Sequence, residues 1–281
     1  MLIELTAGED RVSVDDHAGG RLAALNAGGA QRLITQIDGP LSWGAFPLIP
    51  WAGRVADGHI AAAHSRGSEV HLGANHGPHA IHGVVYDQRW EIEDQADDEL
   101  QLRCALPVTR WPFGGEALQR FNLAPGRLRL RIDVRAGDSP MPVSVGWHPW
   151  FARPVTGDMA VLIDSVAVLE TTADLIPTGR VVEAAGDLDL RDGSPLDGRR
   201  LDHCYLDVQG PAQVYWPDLV LTMELPRSPG TVVVHTPMRG VCVEPQTAWP
   251  DPFSRPERSG VTWLEPGEVF AATTEWTWRR R

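Results

Sequence analysis

The chain predicts an all-β fold, a large antiparallel sandwich or barrel, on three observations. Short runs with apolar residues at every second position recur along its length, 28 Gly and 23 Pro punctuate them, and no segment carries a sustained helical stripe. The cleanest run is Arg127 to Val134. There Leu128, Leu130, Ile132 and Val134 share one face while Arg127, Arg129, Arg131 and Asp133 share the other, as in a strand with one wet face.

Taken in order, the strand-like runs are Arg11 to Val14, Arg89 to Glu93, Glu99 to Leu106 and Ala117 to Leu123, followed by Arg127 to Val134. Beyond them come Ala160 to Val168, Ala212 to Trp216, Leu219 to Leu225, Thr231 to His235, Val241 to Glu244 and Glu268 to Trp278. The acidic stretch Glu91 to Glu99 reads as a strand and a solvated turn, and Asp187 to Arg200 as an irregular loop. With no Ser/Gly-rich linker and no fixed-period repeat, residues 1–281 are expected to form a single domain.

Composition excludes several classes of partner. Net charge is -12 and every one of the 25 basic residues is Arg, which argues against nucleic acid or an anionic membrane. No apolar run approaches the length of a membrane span, and the N-terminus lacks the pattern of a secretory signal. Cys104, Cys204 and Cys242 are odd in number and widely scattered, so a disulfide framework is not expected and the cytoplasm is the expected setting.

Chemistry-bearing residues gather in a few stretches. Val143 to Phe151 begins with strand alternation, and Gly146 and Pro149 suggest that regular pairing ends there, leaving His148 at a strand end. Trp147, Trp150 and Phe151 offer flat apolar faces suited to a sugar ring, and His148 a proton mobile near neutrality; a core histidine packed among aromatics is the alternative. In the Pro/Gly-rich loop Phe46 to Gly58, Trp51 and Arg54 could hold a polyol, unless Arg54 merely pairs with Asp57. His76, His79 and His82 recur at three-residue intervals, but Gly77, Pro78 and Gly83 argue against a helical metal face, and His82 is the best placed for a cleft. Asp202 stands at the entrance to a strand, where it could accept bonds from hydroxyls or tie down its own turn. Glu244 follows the apolar Val241 to Val243, and Pro245 is expected to end that strand; a carboxylate there needs partners or a proton role.

In order along the chain, Pro50-Trp51-x-x-Arg54, His82-Gly83, Gly146-Trp147-His148-Pro149-Trp150-Phe151, Leu201-Asp202-His203-x-Tyr205 and Glu244-Pro245-Gln246-Thr247 resemble the aldose 1-epimerase, or galactose mutarotase-like, family. Pro250-Asp251-Pro252-Phe253 and Asp174 to Gly179 are similar to it as well. The resemblance implies the large β-sandwich of that family, His148 as general acid, Glu244 as general base, sugar-binding roles for Arg54, His82 and Asp202, and no cofactor. The reaction implied is interconversion of α and β anomers through ring opening and reclosure. Gly53 stands where members often have Asn, Val84 where they have a second Gly, and the His148 run is closer to a less-characterised bacterial branch than to the galactose-active members.

Other readings use the same residues. Glycoside hydrolysis would need Asp202 and Glu244 at a defined separation, a sugar sensor would bind without catalysis, and a metal-dependent isomerase would use His76, His79 and His82. A phosphorylated or sulfonated sugar would call on arginines such as Arg54 or Arg89.

Overall fold

Two large antiparallel sheets face each other across a shared apolar core. The computed structural model describes residues 1–35, 39–61 and 69–281, and the statements below concern these residues. About half of the chain is strand, in keeping with the all-β expectation, and almost none is helix. No described helix is long and apolar enough to cross a membrane.

The larger sheet has eleven strands. Its order runs Leu2–Ala7, Asp10–Asp15, Arg21–Ala27, Ala45–Leu48, Gly146–Ala152, Gly240–Gln246, Gly230–His235, Asp202–Val208, Ala167–Thr171 and Pro177–Glu183, with Ala30–Gln31 beside Arg21–Ala27. Eight strands form the second sheet, with Arg127–Arg135 between Glu116–Ala124 and Val269–Arg280. The core lies where the inner faces meet: Phe151 of the first sheet packs on Trp276 of the second at 5.8 Å between centroids, and at 5.5 Å on Trp216, which follows the Ala212–Tyr215 strand of that sheet. Leu128, Leu130, Ile132 and Val134 are buried as the alternation requires. Asp133 is the exception on the polar face, buried beneath Arg120 and Arg131, which both donate to its carboxylate.

Four expectations need correction. The run Ala160 to Val168 is two strands, Ala160–Leu162 and Ala167–Thr171, which belong to different sheets. Phe46 to Gly58 is not all loop, because Ala45–Leu48 enters the larger sheet and Arg54–Val55 pairs with Ala80–Ile81. His148 does not stand at a strand end; it is the third residue of Gly146–Ala152, and Pro149 is carried within the strand. Glu244 does not end its strand either, since Gly240–Gln246 runs on through Pro245. In both places a proline is tolerated because the ladder opens locally rather than because the strand stops.

Candidate active site

Five neighbouring strands of the larger sheet build the floor of one cavity. Gly146 pairs with Gln246 and Trp150 with Cys242, a register that sets His148 directly opposite Glu244 on the adjacent strand. Pairing is recorded on both sides of that point but not across it, where Pro149 and Pro245 have no N–H to donate. On the other flank His148 stands opposite Phe46. Beyond Glu244 come Val233 and then Cys204. The next row on the same face holds Trp150, Cys242, His235 and Asp202. Cross-strand partners have Cβ atoms about 5 Å apart, so residues remote in sequence become immediate neighbours.

His148 Nε2 lies 3.2 Å from Glu244 Oε1, with side chains 6% and 3% exposed. The imidazole is held between two aromatic faces, Phe46 at 4.7 Å and Trp150 at 5.5 Å, both nearly parallel to it. Gln246 Nε2 donates to Glu244 Oε2 at 3.1 Å. Thr247 fastens the two strands just past the pair, its Oγ1 accepting from the Val145 amide at 2.8 Å and donating to the Val145 carbonyl.

The wall comes from the short pairing of Arg54–Val55 with Ala80–Ile81 and the turns beside it. His82 adopts a positive φ of 62° and Gly83 one of 76°, and a Cβ at Gly83 would fall 1.8 Å from the Ile49 carbonyl oxygen. Only glycine permits that approach, and the turn brings the His82 ring edge-on to His148 at 4.9 Å. Arg54 is placed by Asp251: the Arg54 carbonyl accepts from the Asp251 amide at 2.6 Å, and Asp251 Oδ1 accepts from the Ala56 amide at 3.0 Å. Pro250-Asp251-Pro252-Phe253 thus anchors the Arg54 loop to the end of the Glu244 strand. Asp202 and His235 are cross-strand partners whose Oδ2 and Nδ1 lie 3.4 Å apart without hydrogen-bond alignment.

Arg54, His82, His148, Asp202 and Glu244 all line this cavity, together with His76, Trp150, His235 and Gln246. Trp51 and Trp147 do not. Both are buried in the inter-sheet core, and Trp51 packs on Trp111 at 5.5 Å. Alternation is the reason: Trp147 and Phe151 point to the core, so Trp150, two residues from His148, is the aromatic that reaches the hollow. Arg54 does not pair with Asp57; its Nη2 lies 3.5 Å from His76 Nε2, while Asp57 faces His79. His76, His79 and His82 do not converge as metal ligands among the described residues, but atoms of His82, His148 and Glu244 lie within 4.8 Å of one another and could hold an ion. His235 and Gln246 were legible in principle, at the end of a predicted strand and two residues beyond Glu244, but only with the register known.

Burial governs the protonation of the group. Desolvation, then the positive fields of Arg54, His76 and His235, lower the His82 pKa to about 3. Desolvation followed by His82 and His235 holds His148 well below 6.5. Glu244 is pushed well above 4.5 by desolvation and then by the charge of Asp202, with Gln246 and Arg54 opposing. Burial thus favours the uncharged form of each group, neutral imidazole and protonated carboxyl, so the pair holds one proton across the 3.2 Å contact.

Comparison with known proteins agrees with this architecture. The aldose 1-epimerase family model matches residues 1–277. The chain is 23% identical over 235 residues, 79% of each sequence, to the uncharacterised protein YphB of Escherichia coli K12. Its fold is similar to that of a galactose mutarotase-like protein from Clostridium acetobutylicum (TM-score 0.87, 17% identity, covering 100% of this chain and 95% of that one). It is also similar to the GalM/aldose epimerase homologue from C. elegans (TM-score 0.86, 14% identity, covering 100% and 99%). At such identities the structures speak to fold alone, and it is the match over nearly the whole chain that carries the conclusion: the protein is a member of the aldose 1-epimerase family.

Proposed function

We propose that the protein is a cofactor-independent aldose 1-epimerase that interconverts the α and β anomers of a sugar at the His148–Glu244 pair. The carrying observation is that this pair, 3.2 Å apart and almost fully buried, opens onto a cavity shared with Arg54, His82 and Asp202. Glu244 takes the proton of the anomeric hydroxyl while His148 gives one to the ring oxygen. The C1–O5 bond breaks and the C1–O1 bond becomes a carbonyl. Rotation about C1–C2 presents the other face of the aldehyde, and reclosure returns both protons, leaving the protein as it began.

Such a reaction runs the same two transfers forwards and backwards, so an acid and a base of similar proton affinity suit it. Burial moves His148 down and Glu244 up, which erodes the excess proton affinity that a free imidazole has over a free carboxylate. Neutral His82, Arg54 and Asp202 offer donors and acceptors for the hydroxyls that do not react, and Trp150 an apolar face for the ring C–H groups. Glycoside hydrolysis is less well served, because the group in direct contact with Glu244 is the His148 imidazole, whereas Asp202, in the same cavity, faces His235.

Anomer exchange followed by NMR or polarimetry over a panel of neutral and acidic aldoses tests the reading. Acceleration on at least one sugar, falling about 10²- to 10⁴-fold in His148→Asn, is expected. Saturable binding with no acceleration on any sugar would instead make the protein a sensor.

A further inference from the structure

We propose that His59, Glu69 and His71 form a surface binding site for a divalent transition-metal ion of the zinc or copper kind. The three residues lie on a short ribbon in which His59–Ile60 pairs antiparallel with Val70–His71, with His59 directly opposite His71. Glu69 precedes His71 by two residues, the spacing that returns a side chain to the same face of an extended chain. One face of the ribbon thus presents two imidazoles and a carboxylate.

The distances fit a shared ion. Glu69 Oε1 is 2.6 Å from His59 Nε2 and 3.7 Å from His71 Nε2, the two rings are 5.1 Å apart, and one ligand atom from each residue lies within 4.8 Å of the others. Two ligands each about 2.1 Å from a zinc ion stand roughly 3.0–3.5 Å apart, so a bound ion would replace the 2.6 Å His59–Glu69 hydrogen bond and draw in His71 from 3.7 Å. The side chains are 39%, 59% and 70% exposed for His59, Glu69 and His71, so small rotations can close the set while solvent completes the shell. Two imidazoles select a transition metal over magnesium or calcium, which prefer oxygen ligands. None of the three residues lines the catalytic cavity, although Arg54 and His76 in its wall lie five residues from His59 and His71 along the chain.

Zinc titrated into the purified full chain against a competing chromophoric chelator tests the site. One equivalent is expected to bind. Its affinity should fall about tenfold or more in His59→Ala and in His71→Ala, and binding should vanish in the double variant. Because His82, His148 and Glu244 form the other candidate cluster, His82→Asn is the control, and it should retain the equivalent of zinc. The proposal is overturned if zinc at micromolar concentration does not bind, if the double variant binds as the parent does, or if His82→Asn is the variant that loses it. Far-UV circular dichroism of each variant confirms that these substitutions leave the fold in place.

Discussion

Replacing His82 by Asn should remove a large part of the protein's sensitivity to acid. The wild-type ring is buried and its pKa lies at about 3 instead of 6.5. Below pH 6.5 the unfolded chain takes up a proton at this position and the native state does not, so stability falls as the pH falls, and the loss continues until about pH 3. Each pH unit costs up to about 1.4 kcal/mol, which makes the loss about 3 kcal/mol by pH 4.5. His148 contributes in the same direction. Glu244 contributes with the opposite sign, since its native state keeps a proton that the unfolded chain releases above pH 4.5.

Asn is the suitable replacement because it tolerates the left-handed backbone, here φ 62°, better than most residues. It has no proton to gain in this range. Urea unfolding of both proteins at several pH values between 7.5 and 4.5 gives the measurement. The difference in unfolding free energy should shift by about 3 kcal/mol in favour of the variant across that interval. Removing His82 also relieves part of what holds His148 down, and this reinforces the shift. A difference that stays constant with pH would refute the link between the burial of His82 and acid stability.

Glu244→Gln should cut anomer exchange by about 10²- to 10⁴-fold and yet raise the melting temperature at pH 8, because the burial that lifts the Glu244 pKa is a cost that grows as the pH rises above 4.5. Near-normal turnover in that variant would remove the base from the mechanism. If exchange needs one proton on the His148–Glu244 pair, the rate should stay level from neutrality down past pH 6.5, since a second proton enters only at the lowered His148 pKa; a rate that halves near 6.5 in steady-state assays would contradict this. Trp150→Ala should both raise KM and destabilise, because that ring is buried beside His148, whereas Trp51→Ala should cost about 3–5 kcal/mol in denaturant melts and leave the KM of the folded fraction unchanged. Arg21 is fully buried and donates to the carbonyls of Ala18, Trp43, Pro40 and Tyr86, so Arg21→Met should destabilise by about 3 kcal/mol or more.

Alternation and turn residues were enough to indicate an all-β chain, because a strand with one wet face writes its period into the sequence, as Arg127–Arg135 does. Strands buried on both faces leave no such mark, and Ala45–Leu48, buried throughout, gives no period to read. Likewise the order of short stretches around Arg54, His82, His148, Asp202 and Glu244 was enough to nominate those residues. Their meeting was not readable, because it depends on the register between strands far apart in the chain. That register puts His148 across from Glu244 and His235 across from Asp202. Parity decided the aromatics. Pro149 and Pro245 suggested strand ends where the strands continue, and with those limits misplaced nothing local distinguished Trp147 and Trp51, which fill the core, from Trp150, which faces the cavity. A side chain's type is fixed by the chain itself, but the face it takes is fixed by hydrogen-bonded neighbours that only the folded sheet supplies.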